Sequence, residues 1–131
     1  MTKVIDLSTL DVSVNANKGA VLSLKHPTKN TELGITITLV GEDSGLHRRA
    51  VANIANRRAK NGFRKNATLE EIQADNISVL ASCTIGWNDI QVDGEDWSCS
   101  YDKAVALYTR FAWIREQVEQ FIADRANYLQ D

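Results

Sequence analysis

The sequence is poor in the residues from which most enzyme sites, metal sites and exported domains are built: two histidines, two cysteines, one proline and one methionine in 131 residues. His26 and His47 stand apart, in neither a metal-ligand spacing nor a triad with a serine or cysteine. Cys83 and Cys99 lack the C-x-x-C spacing of zinc and redox sites and are expected to be buried thiols. The seven glycines are scattered singly, so no loop is built to cradle a phosphate. No window approaches the roughly 18 consecutive apolar residues of a membrane span. The first residues, MTKVIDLSTLDVSVNAN, are interrupted by Asp6 and Asp11 where a secretory leader would be apolar. The expectation is a cytosolic, non-enzymatic protein with no catalytic, cofactor or metal residues.

Two acidic patterns come closest to chemistry. Asp89-x-Gln91-x-Asp93-Gly94-Glu95 has a glycine where a calcium loop needs one, but Gln91 stands at the third position and Ser100 where a bidentate glutamate is required, so it reads as a solvated acidic turn. The pairs Glu70–Glu71 and Asp96–Asp102 are explained by helix N-termini, whose dipole favours acids.

What is present suits a single folded domain: apolar content is 44% and charged content 24%, in a chain of common domain size. The net charge of −2 conceals a segregation. Residues 45–69 carry seven cations and no acid, whereas residues 70–131 carry twelve acids and four cations. Such polarity suits an anionic partner or head-to-tail contact between copies of the chain.

Residues 1–18 read as a flexible arm, with a short extended piece at Val12–Val14; residues 19–131 read as the domain. Ala20, Leu22 and Leu24 alternate with Val21, Ser23 and Lys25, and Ile35, Ile37 and Leu39 alternate with Thr36 and Thr38. This is a β-hairpin turning through residues 27–31, whose edges are candidate assembly surfaces. Ser44 is placed to cap a helix to about Asn61, with Leu46, Ala50, Ile54 and Ala55 inward and Gly62 as its stop. Thr68-x-x-Glu71 is a capping box opening a second helix, with Leu69, Ile72, Ile77, Leu80 and Cys83 inward and Gly86 as its end. Asp93-Gly94 predicts a tight turn between short strands. From Tyr101 or Asp102 a helical region runs to Leu129, bent near Arg110-Phe111-Ala112, with Phe111, Ile114, Val118, Phe121, Ile122 and Leu129 inward. The fold class expected is α+β: a mostly α-helical single domain with a small N-terminal β-hairpin.

The candidate interaction residues are Arg48, Arg49, Arg57, Arg58 and Lys60 on the basic helix, with Trp97 and Trp113. Arg49, Asn53, Arg57 and Lys60 share one face and suit an acidic protein surface. No aromatics interleave with these cations, no helix-turn-helix signature is present and the sequence pI is about 5.7, so nucleic acid is disfavoured. Trp113 falls off the Phe111–Ile114–Val118 stripe and is the best interface anchor. Trp87 is expected in the core.

The Gly86-Trp87 pair, the Asp93-Gly94 turn, the helix that follows and the run Trp113-Ile114-Arg115-x-Gln117-Val118-x-x-Phe121 together resemble the tail assembly chaperones of long-tailed bacteriophages. Gly41-Glu42-Asp43-Ser44, with Arg48 and Arg49 following, is similar to the middle of the same proteins, and the likeness covers roughly Gly19 to Leu129. It implies a protein that coats the tape-measure protein and keeps it soluble while the tail tube assembles, acting as a ring or spiral homo-oligomer. It also implies a place in the host cytoplasm rather than in the mature virion. Such proteins are often made in a short form and a frameshifted longer form that reaches the tail tube protein; this chain looks like the short form. The alternatives are a structural head–tail or tail accessory protein of the virion and, behind it, a nucleic-acid-binding regulator.

Overall fold

The computed structural model describes residues 4–60 and 67–129. An antiparallel sheet carries helices on one face, an α+β architecture that includes the expected N-terminal hairpin. Strands β1 (Ala20–Lys25) and β2 (Glu32–Leu39) pair with Ala20 opposite Leu39 and Leu22 opposite Ile37. The alternation seen in the sequence places Leu24, Ile37 and Leu39 inward, all fully buried, and leaves Val21 on the solvent face.

A third strand, β3 (Thr84–Trp87), adds to the far side of β2, with Ile37 opposite Trp87. This corrects the reading of Gly86 as a helix stop, because Gly86 lies inside β3. The preceding helix ends instead at Ser82. There the hydroxyls of Ser82 and Thr84 donate to the carbonyls of Ser78 and Leu80, drawing on helix-end acceptors, and β-branched Thr84 and Ile85 favour extended backbone.

Helix α1 (Ser13–Lys18) replaces the extended piece expected at Val12–Val14, with the Asp11 carboxylate accepting from the Ser13 N–H at 2.9 Å. Helix α2 (Gly45–Lys60) begins as expected, Ser44 Oγ accepting from the His47 N–H at 3.1 Å. Of its predicted inner face, Ala50 is buried and Ile54 half-buried, but Leu46 and Ala55 are exposed, since α2 packs chiefly on one neighbouring helix. Helix α3 (Leu69–Ser82) is capped by Thr68 Oγ1, which accepts from Glu71 N–H. Ile77, Leu80 and Cys83 are buried, whereas Leu69 is 85% exposed and Ile72 is also exposed, because the apolar stripe begins before the helix reaches the core. The expected stop at Gly62, like Arg64 and Lys65, lies outside the described residues.

Strands β4 (Gln91–Val92) and β5 (Glu95–Asp96) form the small hairpin expected at Asp93-Gly94, both turn residues having positive φ. Helices α4 (Tyr101–Arg110) and α5 (Ala112–Ala123) are separated at Phe111, whose φ of −111° and ψ of 89° break the helix where the bend was expected. Ile114, Val118 and Ile122 are buried. Beyond Asp124 the chain tightens into a 3-10 turn (Arg125–Tyr128), which changes the phase so that Tyr128, not Leu129, reaches the interior.

Candidate interaction surfaces

A groove of about 540 Å³ runs between the outer edge of β1 and α5. Leu22, Trp113 and Phe121 supply its apolar surface, Lys25 and His26 its strand-side rim, and Glu116 and Asp124 its helix-side rim. Trp113, Gln117 and Phe121 fall four residues apart on α5, so the two aromatics stand about 12 Å apart with Gln117 between them.

The edge of β1 is partly closed there. Gln117 Oε1 accepts from the Lys25 N–H at 3.0 Å and Gln117 Nε2 donates to the Lys25 carbonyl at 2.9 Å. The side-chain amide occupies the place a neighbouring strand's peptide would take, which protects the edge from indiscriminate pairing. At the end of the strand, His26 Nδ1 accepts from the backbone N–H groups of Thr28 and Lys29. The neutral ring therefore carries its proton on Nε2. Trp113 is half-buried, edge-on to Phe111 with ring centroids 6.4 Å apart. It packs against the core, which its position off the Phe111–Ile114–Val118 stripe does not require, and it also forms part of the groove wall.

Trp97 has a different environment. It is half-buried, its carbonyl accepts the Trp87 indole N–H at 2.8 Å, and the Lys103 ammonium lies 4.4 Å from its ring centroid. These contacts tie the β4–β5 hairpin to β3 and α4. A bidentate pair between Arg110 and Asp93, at 2.7 and 3.1 Å, fastens the turn of the same hairpin and holds the Asp93 carboxyl below the usual carboxylate range. Trp87 itself is half-buried beside the core.

On α2 the five predicted cations divide. Arg57 and Arg58 both pair with Asp75 of α3, the Arg57 contact at 2.6 Å, so they fasten the two helices together. Arg48, Arg49 and Lys60 are exposed and have no carboxylate partner among the described residues. None of the five lines the groove, so the sequence-predicted residues fall on separate surfaces rather than in one patch.

Burial pushes the Cys83 thiol up to about 12 and raises that of Cys99 as well; both cysteines are free. Among the described residues no group of three or more His, Cys, Asp or Glu side chains is placed to hold a metal ion, and no helix is long and apolar enough to cross a membrane. Sequence reasoning missed Lys25, Gln117 and the groove itself. The only signal available was that Gln117 stands one turn from Trp113 on the same face. Comparisons with protein-family models, with curated proteins and with solved structures find no match.

Proposed function

We propose that this protein is a non-enzymatic tail assembly chaperone of a long-tailed bacteriophage, which binds the tape-measure protein, keeps it soluble and aids tail tube assembly as a ring or spiral of copies. The observation that carries the reading is the role of the residues on which the resemblance rests. Gly41 lies in van der Waals contact with Tyr128 and Ala16, where a Cβ would stand 3.0 Å from the ring and 3.1 Å from the methyl. Glu42 and Asp43 pair with Arg125, and Trp87 fastens Trp97. Gly41, Glu42, Asp43 and Trp87 are joints of one scaffold, which is what a shared fold would preserve.

The surfaces suit the role. A mixed apolar and polar groove, a helix with exposed cations and several exposed large apolar residues offer many modest contacts. Repetition of such contacts along an oligomer gives avidity without a single strong site. Co-expression with the tape-measure protein tests the proposal: that protein should become soluble and co-purify. A longer frameshifted form would extend the contacts to the tail tube protein. The place proposed for the chaperone is the host cytoplasm, and mass spectrometry of purified virions should not find it. Its presence there in stoichiometric amount would favour a structural accessory protein instead.

A further inference from the structure

Helix α2 is held along one flank. It packs chiefly on α3, to which Arg57 and Arg58 also tie it through Asp75, and its opposite face, Arg48, Arg49, Ala52, Asn56 and Ala59, is exposed. That face carries charge of one sign, because Gly45–Lys60 contains five cations and no acid. The acids beside its start are engaged: Glu42 and Asp43 pair with Arg125, and Arg48 acts on Asp43 only at longer range. Lys60 lies at the end of α2 that leads into α3, whose first turn carries Glu70 and Glu71. Arg48 and Arg49 stand roughly 17 Å back along the helix. Neither has a carboxylate partner among the described residues.

The β4–β5 hairpin and the start of α4 have the reverse charge. Residues 84–110 contain five acids and two cations, and both cations are occupied by the hairpin's own joints, Arg110 on Asp93 and Lys103 over the Trp97 ring. Asp89, Glu95, Asp96 and Asp102 are exposed and have no cation partner among the described residues. This surface is also fixed in place. The Trp87 indole N–H holds Trp97, Arg110 holds the turn, and Gln91 Nε2 donates across the strands to Asp96 Oδ1 at 2.7 Å. Its acids therefore meet a partner without first having to be ordered. Helix α3 packs against both α2 and α4, which have no substantial contact with each other among the described residues. The basic and acidic surfaces thus flank α3 and do not satisfy one another within a chain.

We propose that the exposed face of α2 receives the β4–β5 hairpin of a second copy, with Arg48 and Arg49 against Glu95 and Asp96. The same chain supplies both signs, so like surfaces repel, unlike ones meet and the orientation of neighbours is fixed. The contact is heterologous, and copies join head to tail into a ring or an open spiral. One set of exposed ion pairs is weak; repetition along the assembly is what makes it hold. This rests on the proposed self-association and names its interface.

The test uses full-length chains and charge reversal. Arg48→Glu with Arg49→Glu gives a chain acidic on both surfaces, and Glu95→Lys with Asp96→Lys gives one basic on both. All of these positions are exposed, so circular dichroism spectra and melting curves should match the wild type. In light scattering after size exclusion, the wild type should be oligomeric and should dissociate as salt is raised, while each variant alone should be a monomer. Mixed in equal amounts, the two variants recover both contacts, acid against base, and should reassemble to the wild-type mass. If a reversal disturbs folding, Arg48→Gln with Arg49→Gln and Glu95→Gln with Asp96→Asn read the same contact, as association about tenfold weaker. A folded variant that assembles like the wild type, or a mixture that stays monomeric, overturns the interface while leaving self-association standing. A wild type that is monomeric throughout overturns both, and its binding to polyglutamate through Arg48 and Arg49 would assign α2 to a different acidic chain.

Discussion

The ring of Tyr128 lies across Gly41, while its hydroxyl donates to the Leu39 carbonyl at 3.2 Å. One aromatic side chain near the end of the described chain thus closes the junction between β2 and α2. Ala16 packs against the same glycine, and the Gly41 N–H donates to the Ala16 carbonyl at 3.0 Å. The contact explains why glycine stands at position 41.

Gly41→Ala should destabilise the fold by about 1–3 kcal/mol through overpacking against Tyr128 and Ala16. Among the described residues a Cβ at Gly86 would meet nothing within 4 Å, so Gly86→Ala should change stability by less than about 0.5 kcal/mol. Urea denaturation of the two variants checks this contrast; equal losses would contradict the packing described at Gly41.

Trp87→Phe keeps an aromatic ring but removes the N–H that meets the Trp97 carbonyl. The expected loss is about 0.5–1.5 kcal/mol. Amide exchange should rise mainly in the β4–β5 hairpin, which that bond helps to hold. Hydrogen exchange followed by mass spectrometry would show whether the loosening is local, and exchange unchanged in residues 90–97 would count against the tether.

Asp75 sits between Arg57 and Arg58, its side chain 17% exposed. Asp75→Asn should cost roughly 1 kcal/mol, the value being kept small because both arginines are partly solvated. Reversing Arg57 and Arg58 to glutamate would set acids against Asp75 and damage the α2–α3 packing. A clean test of the basic helix therefore uses Arg48→Glu with Arg49→Glu. That pair should leave the melting temperature unchanged and weaken association with an acidic surface; association unaffected by it would remove α2 as a contact surface.

The pH dependence has two limbs. Hydrogen bonds from Arg125 and Arg110 lower the folded-state pKa of Asp43 and Asp93 from the ordinary 3.8. Their stabilisation is therefore present at neutral pH and is lost as pH falls below that range. Burial raises the folded-state pKa of Cys83 from 9.0 to about 12, so the unfolded chain releases that proton first. Stability should fall as pH rises from about 9 to about 12, with buried Tyr108 and Tyr128 adding to the fall from about 10 upward. Denaturation curves across pH check both limbs. Alkylation in the native state should reach Cys99 before Cys83; rapid labelling of Cys83 would contradict its burial.

The elements legible in the sequence were those with local causes. Strict alternation marked the hairpin, Ser44 and Thr68 marked helix starts, and Asp93-Gly94 marked a turn. Strand β3 was hidden because four residues after a helix are too few to display a period, and Gly86 has two meanings that only pairing with β2 distinguishes. Leu46, Leu69 and Ile72 fit an inward stripe by spacing, but spacing does not show where the core ends. The groove was invisible for a similar reason: Lys25 and Gln117 are 92 residues apart, and their pairing exists only once β1 and α5 have packed. Trp113 stood out because it broke its helix's pattern, yet it packs against the core as well as lining that groove, since a side chain that large spans both.

The most direct measurement is light scattering on the size-exclusion peak obtained when this chain is co-expressed with a tape-measure protein, the partner that the chaperone proposal names. The chaperone reading predicts one soluble species containing the tape-measure protein with many copies of this chain. A tape-measure protein left insoluble, with this chain eluting alone, would contradict it.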